Sequence, residues 1–151
     1  MTTSVQDAIE REVFIRASID PVWSLVSKAG FWVGDDLHFD IDARAGDLVV
    51  VETEAYGHFQ VRVEELTPPR YAAYRWASAF PSLPLSDANS TLVEFTLLER
   101  EHGVLLKLRE SGFANVIATH PAMASMVDAN TTGWDRQLPL LVGATGEMTI
   151  S

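Results

Sequence analysis

The chain has no cysteine, few basic residues and no long apolar run. The first absence removes disulfides, thiolate nucleophiles and cysteine-based metal sites. Eleven Lys and Arg against 21 Asp and Glu give a formal net charge of −10. The basic residues are scattered singly, so no basic face exists for a phosphate backbone, and nucleic acid is excluded as a partner. Anionic membrane surfaces are disfavoured for the same reason. No stretch approaches the ~20 apolar residues of a membrane span. The polar start, Met1–Ile9, has neither the basic nor the apolar region of a secretory signal. The expectation is a cytoplasmic protein with no membrane insertion.

Catalytic signatures are scarce too. His38, His58, His102 and His120 lie far apart, with no His-x-x-x-His or His-Glu-x-x-His spacing, and read as surface residues. No Gly-x-Ser-x-Gly elbow and no glycine-rich phosphate loop occurs. Asp35-Asp36 and Glu52-Thr53-Glu54 suit solvated positions. Neither a metal nor a cofactor is called for.

What is present is a globular composition, 47% hydrophobic and 21% charged over 151 residues. That suits one domain over 1–151, with residues 1–7 as a frayed tail. Ile9, Val13, Ile15 and Ile19 predict one long strand over 8–19; the apolar Phe14 breaks the alternation and suggests a bulge or a two-sided position. Asp20-Pro21 predicts a helix start, with Asp20 as N-cap, Pro21 as first helical residue and Gly30 as the stop. Phe31 and Trp32 fall in the following loop. Further strands are predicted at 37–42, 47–55, 57–66, 71–77, 92–101 and 104–111. The proline-rich segment Ala79–Ser90 reads as a mobile loop. Pro121 opens a C-terminal helix whose apolar stripe runs through Met123, Met126 or Val127, Trp134, Leu138 and Leu141, with Gly133 and Pro139 as interruptions. The fold class is α+β: about six to seven antiparallel strands and a long helix on one face.

Two polar residues sit where the periodicity predicts apolar ones. Glu110 shares the register of Val104, Leu106 and Leu108. A buried carboxylate costs several kcal/mol unless it is paired, protonated or facing a ligand. A bulge near Ser111-Gly112 would instead turn it outward. Asn130 falls on the helix stripe between Val127 and Trp134, unless the helix start frays there and leaves it exposed or capping.

The order of elements, with Arg16-Ala-Ser-Ile-Asp-Pro-Val-Trp23, Phe31-Trp32, Arg44-Ala-Gly-Asp47, Val63-Glu-Glu-Leu-Thr-Pro-Pro-Arg-Tyr-Ala-Ala-Tyr-Arg-Trp76, Thr91-Leu-Val-Glu-Phe-Thr-Leu97 and Gly133-Trp134 with Leu138, resembles the START-like or SRPBCC superfamily. Within it the chain is most similar to the Hsp90-ATPase-activator-homologue-1-like group. The resemblance implies a helix-grip fold, a curved sheet wrapped around the long helix with an apolar pocket between them. Across the superfamily that pocket holds lipids, polyketides and other hydrophobic small molecules. Some relatives are cyclases or hydrolases, and the eukaryotic namesake stimulates a chaperone ATPase. The chain does not carry that activator's additional N-terminal domain, so direct chaperone activation is not expected.

In this frame the candidate ligand-binding residues are Trp32, Phe59, Tyr74, Trp76, Phe80, Phe95, Leu108, Glu110, Asn130, Trp134 and Leu138. Phe31, Trp32, Trp76 and Phe80 are placed at the pocket mouth. The leading expectation is a module that binds a lipid-, polyketide- or aromatic-like molecule, provided its own side chains leave the cavity open. The alternatives are a cyclase- or hydrolase-like enzyme with Glu110 and Tyr74 as acid–base groups, and a chaperone-associated stress-response protein. A weak homodimer is allowed by Leu105 and the Ala79–Leu85 loop.

Overall fold

The computed structural model describes residues 7–28, 32, 43–53, 57–78, 80 and 83–146. Six strands form one antiparallel sheet: β1 (Ala8–Ile15), β2 (Leu48–Thr53), β3 (Gly57–Thr67), β4 (Tyr71–Trp76), β5 (Thr91–Arg100) and β6 (Gly103–Ser111). Their order across the sheet is β1-β6-β5-β4-β3-β2. Helices with described bounds are α1 (Ile19–Val26), α2 (Phe113–Thr119) and α3 (Met126–Gly146), with a 3-10 turn at Pro121–Met123. The sheet is curved and α3 lies on its inner face.

Alternation builds that face. Thr91, Val93, Phe95 and Leu97 on β5, and Val104, Leu106, Leu108 and Glu110 on β6, are all buried, while Lys107 and Arg109 are exposed. The pairings Tyr74 to Val93, Val93 to Glu110 and Glu110 to Ile9 run one inward row across four strands. From α3, Met126, Val127, Trp134, Leu138 and Leu141 close over it.

Several boundaries differ from the sequence expectation. β1 ends at Ile15, where the Ala17 N–H turns back to the Ile15 carbonyl at 2.9 Å, and Ile19 belongs to α1. Its pairing with β6 is regular, without a bulge. Phe14 points outward, 45% exposed, with its ring over Gly103 of β6; a Cβ on Gly103 would fall 2.6 Å from the Phe14 Cζ. Ser18, not Asp20, occupies the N-cap of α1; Asp20 lies in the first turn, where its charge suits the helix dipole. That helix stops at Val26, short of Gly30, as Ser27 and Lys28 bond back to Trp23 and Leu25. The strand expected at 37–42 lies outside the described residues.

Pro121 opens the 3-10 turn, and α3 starts at Met126. The helix α2 has no counterpart in the sequence reading. Gly112, at φ 97°, turns the chain out of β6, and Phe113 and Val116 bury one side of α2. Within the 79–90 segment, residues 83–90 are held by hydrogen bonds of their own. Asn89 Oδ1 accepts from the Ser86 N–H, Asn89 Nδ2 donates to the Pro84 carbonyl, and the Leu85 N–H donates to Gln60 Oε1. Residues 83–90 thus form a turn tied by hydrogen bonds, while 79, 81 and 82 of the expected loop lie outside the described residues.

Candidate functional site

Glu110 is fully buried on the inner face of β6. The pairing stays in register through Ser111, so the turn at Gly112 leaves Glu110 pointing inward. Its carboxylate accepts four hydrogen bonds from neutral donors. Trp134 Nε1 donates to Oε1 at 2.8 Å. Oε2 receives Trp76 Nε1 at 2.8 Å, Asn130 Nδ2 at 3.0 Å and Thr91 Oγ1 at 2.5 Å. Burial pushes the Glu110 carboxyl above the usual range, and the four donors draw it back. The carboxylate joins β4, β5 and β6 to α3 without a cation; Asn130 Nδ2 extends the network to Ser78 Oγ at 2.9 Å.

Above this hub lies a cluster of aromatic rings with Trp32 at its centre. The Trp32 ring stands 5.0 Å from Tyr74, 5.2 Å from Trp76, 5.8 Å from Phe95 and 5.8 Å from Trp134, the last stacked at 26°. Trp32 is 3% exposed, so it fills the interior and is not at a pocket mouth. Trp32, helical where a loop was expected, takes an indole's large apolar surface out of water. Its buried Nε1 lies towards the Tyr74 hydroxyl but makes no hydrogen bond of ordinary geometry. The space left between the rings, beside Asn130, Gly133 and Gln137, is about 40 Å³, roughly one water molecule.

The remaining candidates divide. Phe59 packs its ring on Trp76 at 6.1 Å, and Leu108 is buried beneath the helix. Phe80 lies away from the cluster, against the His120 ring at 4.8 Å. Tyr74 and Glu110 share no hydrogen bond: the Tyr74 hydroxyl donates to the Val26 carbonyl at 2.7 Å, and burial raises its pKa. His58 and His102 are exposed and His120 is half-buried. His38, Phe31 and the Asp35-Asp36 pair lie outside the described residues. Among the described residues no group of three His, Asp or Glu side chains could hold a metal, and no helix is long and apolar enough to cross a membrane. Leu105 is half-buried; the exposed large apolar residues are Phe14, Leu48, Val50, Leu83 and Leu140.

A larger space opens where the sequence reading placed only Leu138. Between β1, the edge strand, and the second half of α3 runs an open groove of about 450 Å³ lined by Arg11, Val13, Asp135, Leu138, Pro139 and Val142. Its volume falls within the range of small-molecule sites, roughly 300–1,000 Å³. Val13, Leu138 and Val142 belong to the rim of the core and give it an apolar floor. At one end Arg11 Nε donates to Asp135 Oδ1 at 2.9 Å. Arg11 alternates with Glu10 and Glu12 and therefore faces inward, but on an edge strand, where its head reaches solvent. The signal that could have revealed it is this parity with Ile9 and Val13.

Comparison with known proteins agrees with this architecture. The family model described as "Activator of Hsp90 ATPase homolog 1-like protein" matches residues 16–144. The Aha1 dimer from Colwellia psychrerythraea superposes with a TM-score of 0.70 at 17% identity, covering 93% of this chain and 97% of that one. A protein from Mesorhizobium loti gives 0.65 at 17% identity, with 91% and 95% covered. CalU16 from Micromonospora echinospora gives 0.61 at 20% identity, with 91% and 65% covered. No protein with a curated description matches the chain.

Proposed function

The chain belongs to the Activator of Hsp90 ATPase homolog 1-like family, and we propose that it binds a hydrophobic small molecule between the sheet and the long helix, in the groove bordered by β1 and α3. The observation that carries this reading is the 450 Å³ space with an apolar floor and a single polar end. The aromatic interior is a less suitable seat: Trp32 occupies it, and only about 40 Å³ remains. Glu110 is likewise committed, its two oxygens taken by four protein donors. A site in which every polar group is already paired offers a ligand packing but no anchoring group. The groove offers both.

Native mass spectrometry of the protein as purified, compared with its denatured mass, tests the proposal together with binding of the neutral dye N-phenyl-1-naphthylamine. The expected result is a mass lost on denaturation, or a blue-shifted dye signal that Val142→Trp abolishes by filling the groove. A bare native mass with no dye binding would overturn the reading. So would dye binding that Val142→Trp leaves intact while the variant keeps the wild-type circular dichroism.

A further inference from the structure

We infer, on the reading of the groove as the ligand site, that its ligand is a neutral amphiphile whose polar head is a hydroxyl held between Arg11 and Asp135. The first support is a count of hydrogen-bonding capacity. A guanidinium has five N–H donors. Arg11 spends Nε and one Nη2 hydrogen on the Asp135 carboxylate, at 2.9 and 3.5 Å, and one Nη1 hydrogen on the Glu10 carbonyl at 2.9 Å. Two donors remain without a partner among the described residues and are free to meet an acceptor on the head.

The second support is on the helix side. Pro139 lies inside α3 and has no N–H to give. The carbonyl four residues back, that of Asp135, therefore loses its ordinary helical partner. Together with the exposed Asp135 carboxylate, which already meets Arg11, this leaves acceptors on the helix side of the groove. A hydroxyl matches both, accepting from Arg11 and donating to Asp135. A carboxylate head has no proton for those acceptors and sets a second negative charge against Asp135, in a protein already at −10. An ammonium head finds the acceptors but meets the Arg11 guanidinium.

Length follows from helix geometry. From Asp135 to Val142 the helix rises ~10 Å, so a chain of about ten carbons fits along Leu138, Pro139 and Val142. The ion pair then closes one end of the groove and leaves the other open towards the end of α3.

The test uses the full chain and three ten-carbon probes that differ only in their head: decanol, decanoate and decylammonium. Each is titrated at physiological salt against bound N-phenyl-1-naphthylamine. Decanol should displace the dye about tenfold more tightly than either ion, equivalent to ~1.4 kcal/mol. Asp135→Asn should bring decanoate towards decanol, and Arg11→Met should reduce the preference for decanol over decane. If the dye binds in the groove but decanoate or decylammonium equals decanol, the hydroxyl assignment fails while the groove stands. If the dye does not bind, or if Val142→Trp leaves decanol affinity unchanged, groove and hydroxyl fall together. Arg11 and Asp135 are both substantially exposed, so neither substitution threatens folding.

Discussion

Replacing Glu110 with glutamine keeps shape and removes charge, and the donor count around it determines the outcome. The carboxylate now accepts four hydrogen bonds, three at Oε2 and one at Oε1. An amide has one accepting oxygen. With that oxygen on the three-donor side, its NH₂ faces the Trp134 Nε1–H across 2.8 Å, donor against donor. The opposite orientation sets the NH₂ against Trp76, Thr91 and Asn130, which is worse. Trp134 is buried and has no other hydrogen-bond partner among the described residues, so the orphaned contact costs ~1–3 kcal/mol. At acid pH, where Glu110 is protonated in both folded and unfolded chains, the wild type should therefore be the more stable protein. There the acid's own O–H can donate to Thr91, whose hydroxyl rotates to accept it.

The pH dependence has the opposite tendency to a salt-bridged carboxylate. Burial raises the folded-state pKa of Glu110 above its usual 4.5. Between the unfolded and folded values the native state holds the extra proton, so the stability contributed by Glu110 falls as pH rises. The wild-type advantage over Glu110→Gln should be largest below pH 4.5 and then shrink, at up to ~1.4 kcal/mol per pH unit. It levels off once the folded-state pKa is passed. Urea unfolding of both proteins from pH 4 to pH 8, followed by tryptophan fluorescence and circular dichroism, gives the difference directly. A difference that stays constant, or grows with pH, would refute the reasoning, because it would mean that the four donors outweigh burial.

Three further substitutions test other parts of the structure. Trp32→Phe should cost less stability than Trp134→Phe in chemical denaturation: both lose ring area, but only Trp134 gives up a buried hydrogen bond, ~1 kcal/mol or more. Gly103→Ala should destabilise by ~2–3 kcal/mol, since its Cβ would sit 2.3 Å from the Ile15 carbonyl oxygen and β1 would have to part from β6; an unchanged melting temperature would contradict this packing. Pro139→Ala should raise the melting temperature by restoring a helical bond to the Asp135 carbonyl, ~1–3 kcal/mol, and should weaken decanol binding by removing an acceptor.

Periodicity carried the inward face because a strand repeats every two residues. Val104, Leu106, Leu108 and Glu110 could be assigned to one side before any partner was known, and the structure places all four there. The same logic put Trp134, Leu138 and Leu141 on the buried stripe of α3. It could not place Trp32. The sequence around it shows no clear period, and its position among four other rings depends on contacts with β4, β5 and α3 made far along the chain. Thr91 escaped notice because it opens a strand, where the alternation has no preceding residue to define it. Helix α2 escaped because seven residues hold too few turns for a 3.6-residue repeat to declare itself.

Arg11 shows why the groove was harder to foresee than the core. On β1 it stands between Ile9 and Val13, both on the inner side, and by parity it faces inward with them. A charged residue between charged neighbours is nonetheless read as wet, and on a central strand that reading would hold. On an edge strand the inner face ends in solvent, so a long side chain can lay its stem over apolar surface and still hydrate its head. Two such compromises meet along the groove: Arg11 at the sheet edge and Pro139 in the helix beside it. Neither stabilises the core, since an exposed ion pair contributes ~0–1 kcal/mol and an internal proline costs helix stability. Two residues of little structural benefit thus meet in this apolar groove, which fits the proposed role in binding. The interior has gone the other way, sealed by Trp32 and saturated around Glu110. On the proposed reading the sheet and helix supply the wall, and recognition belongs to the seam where they meet.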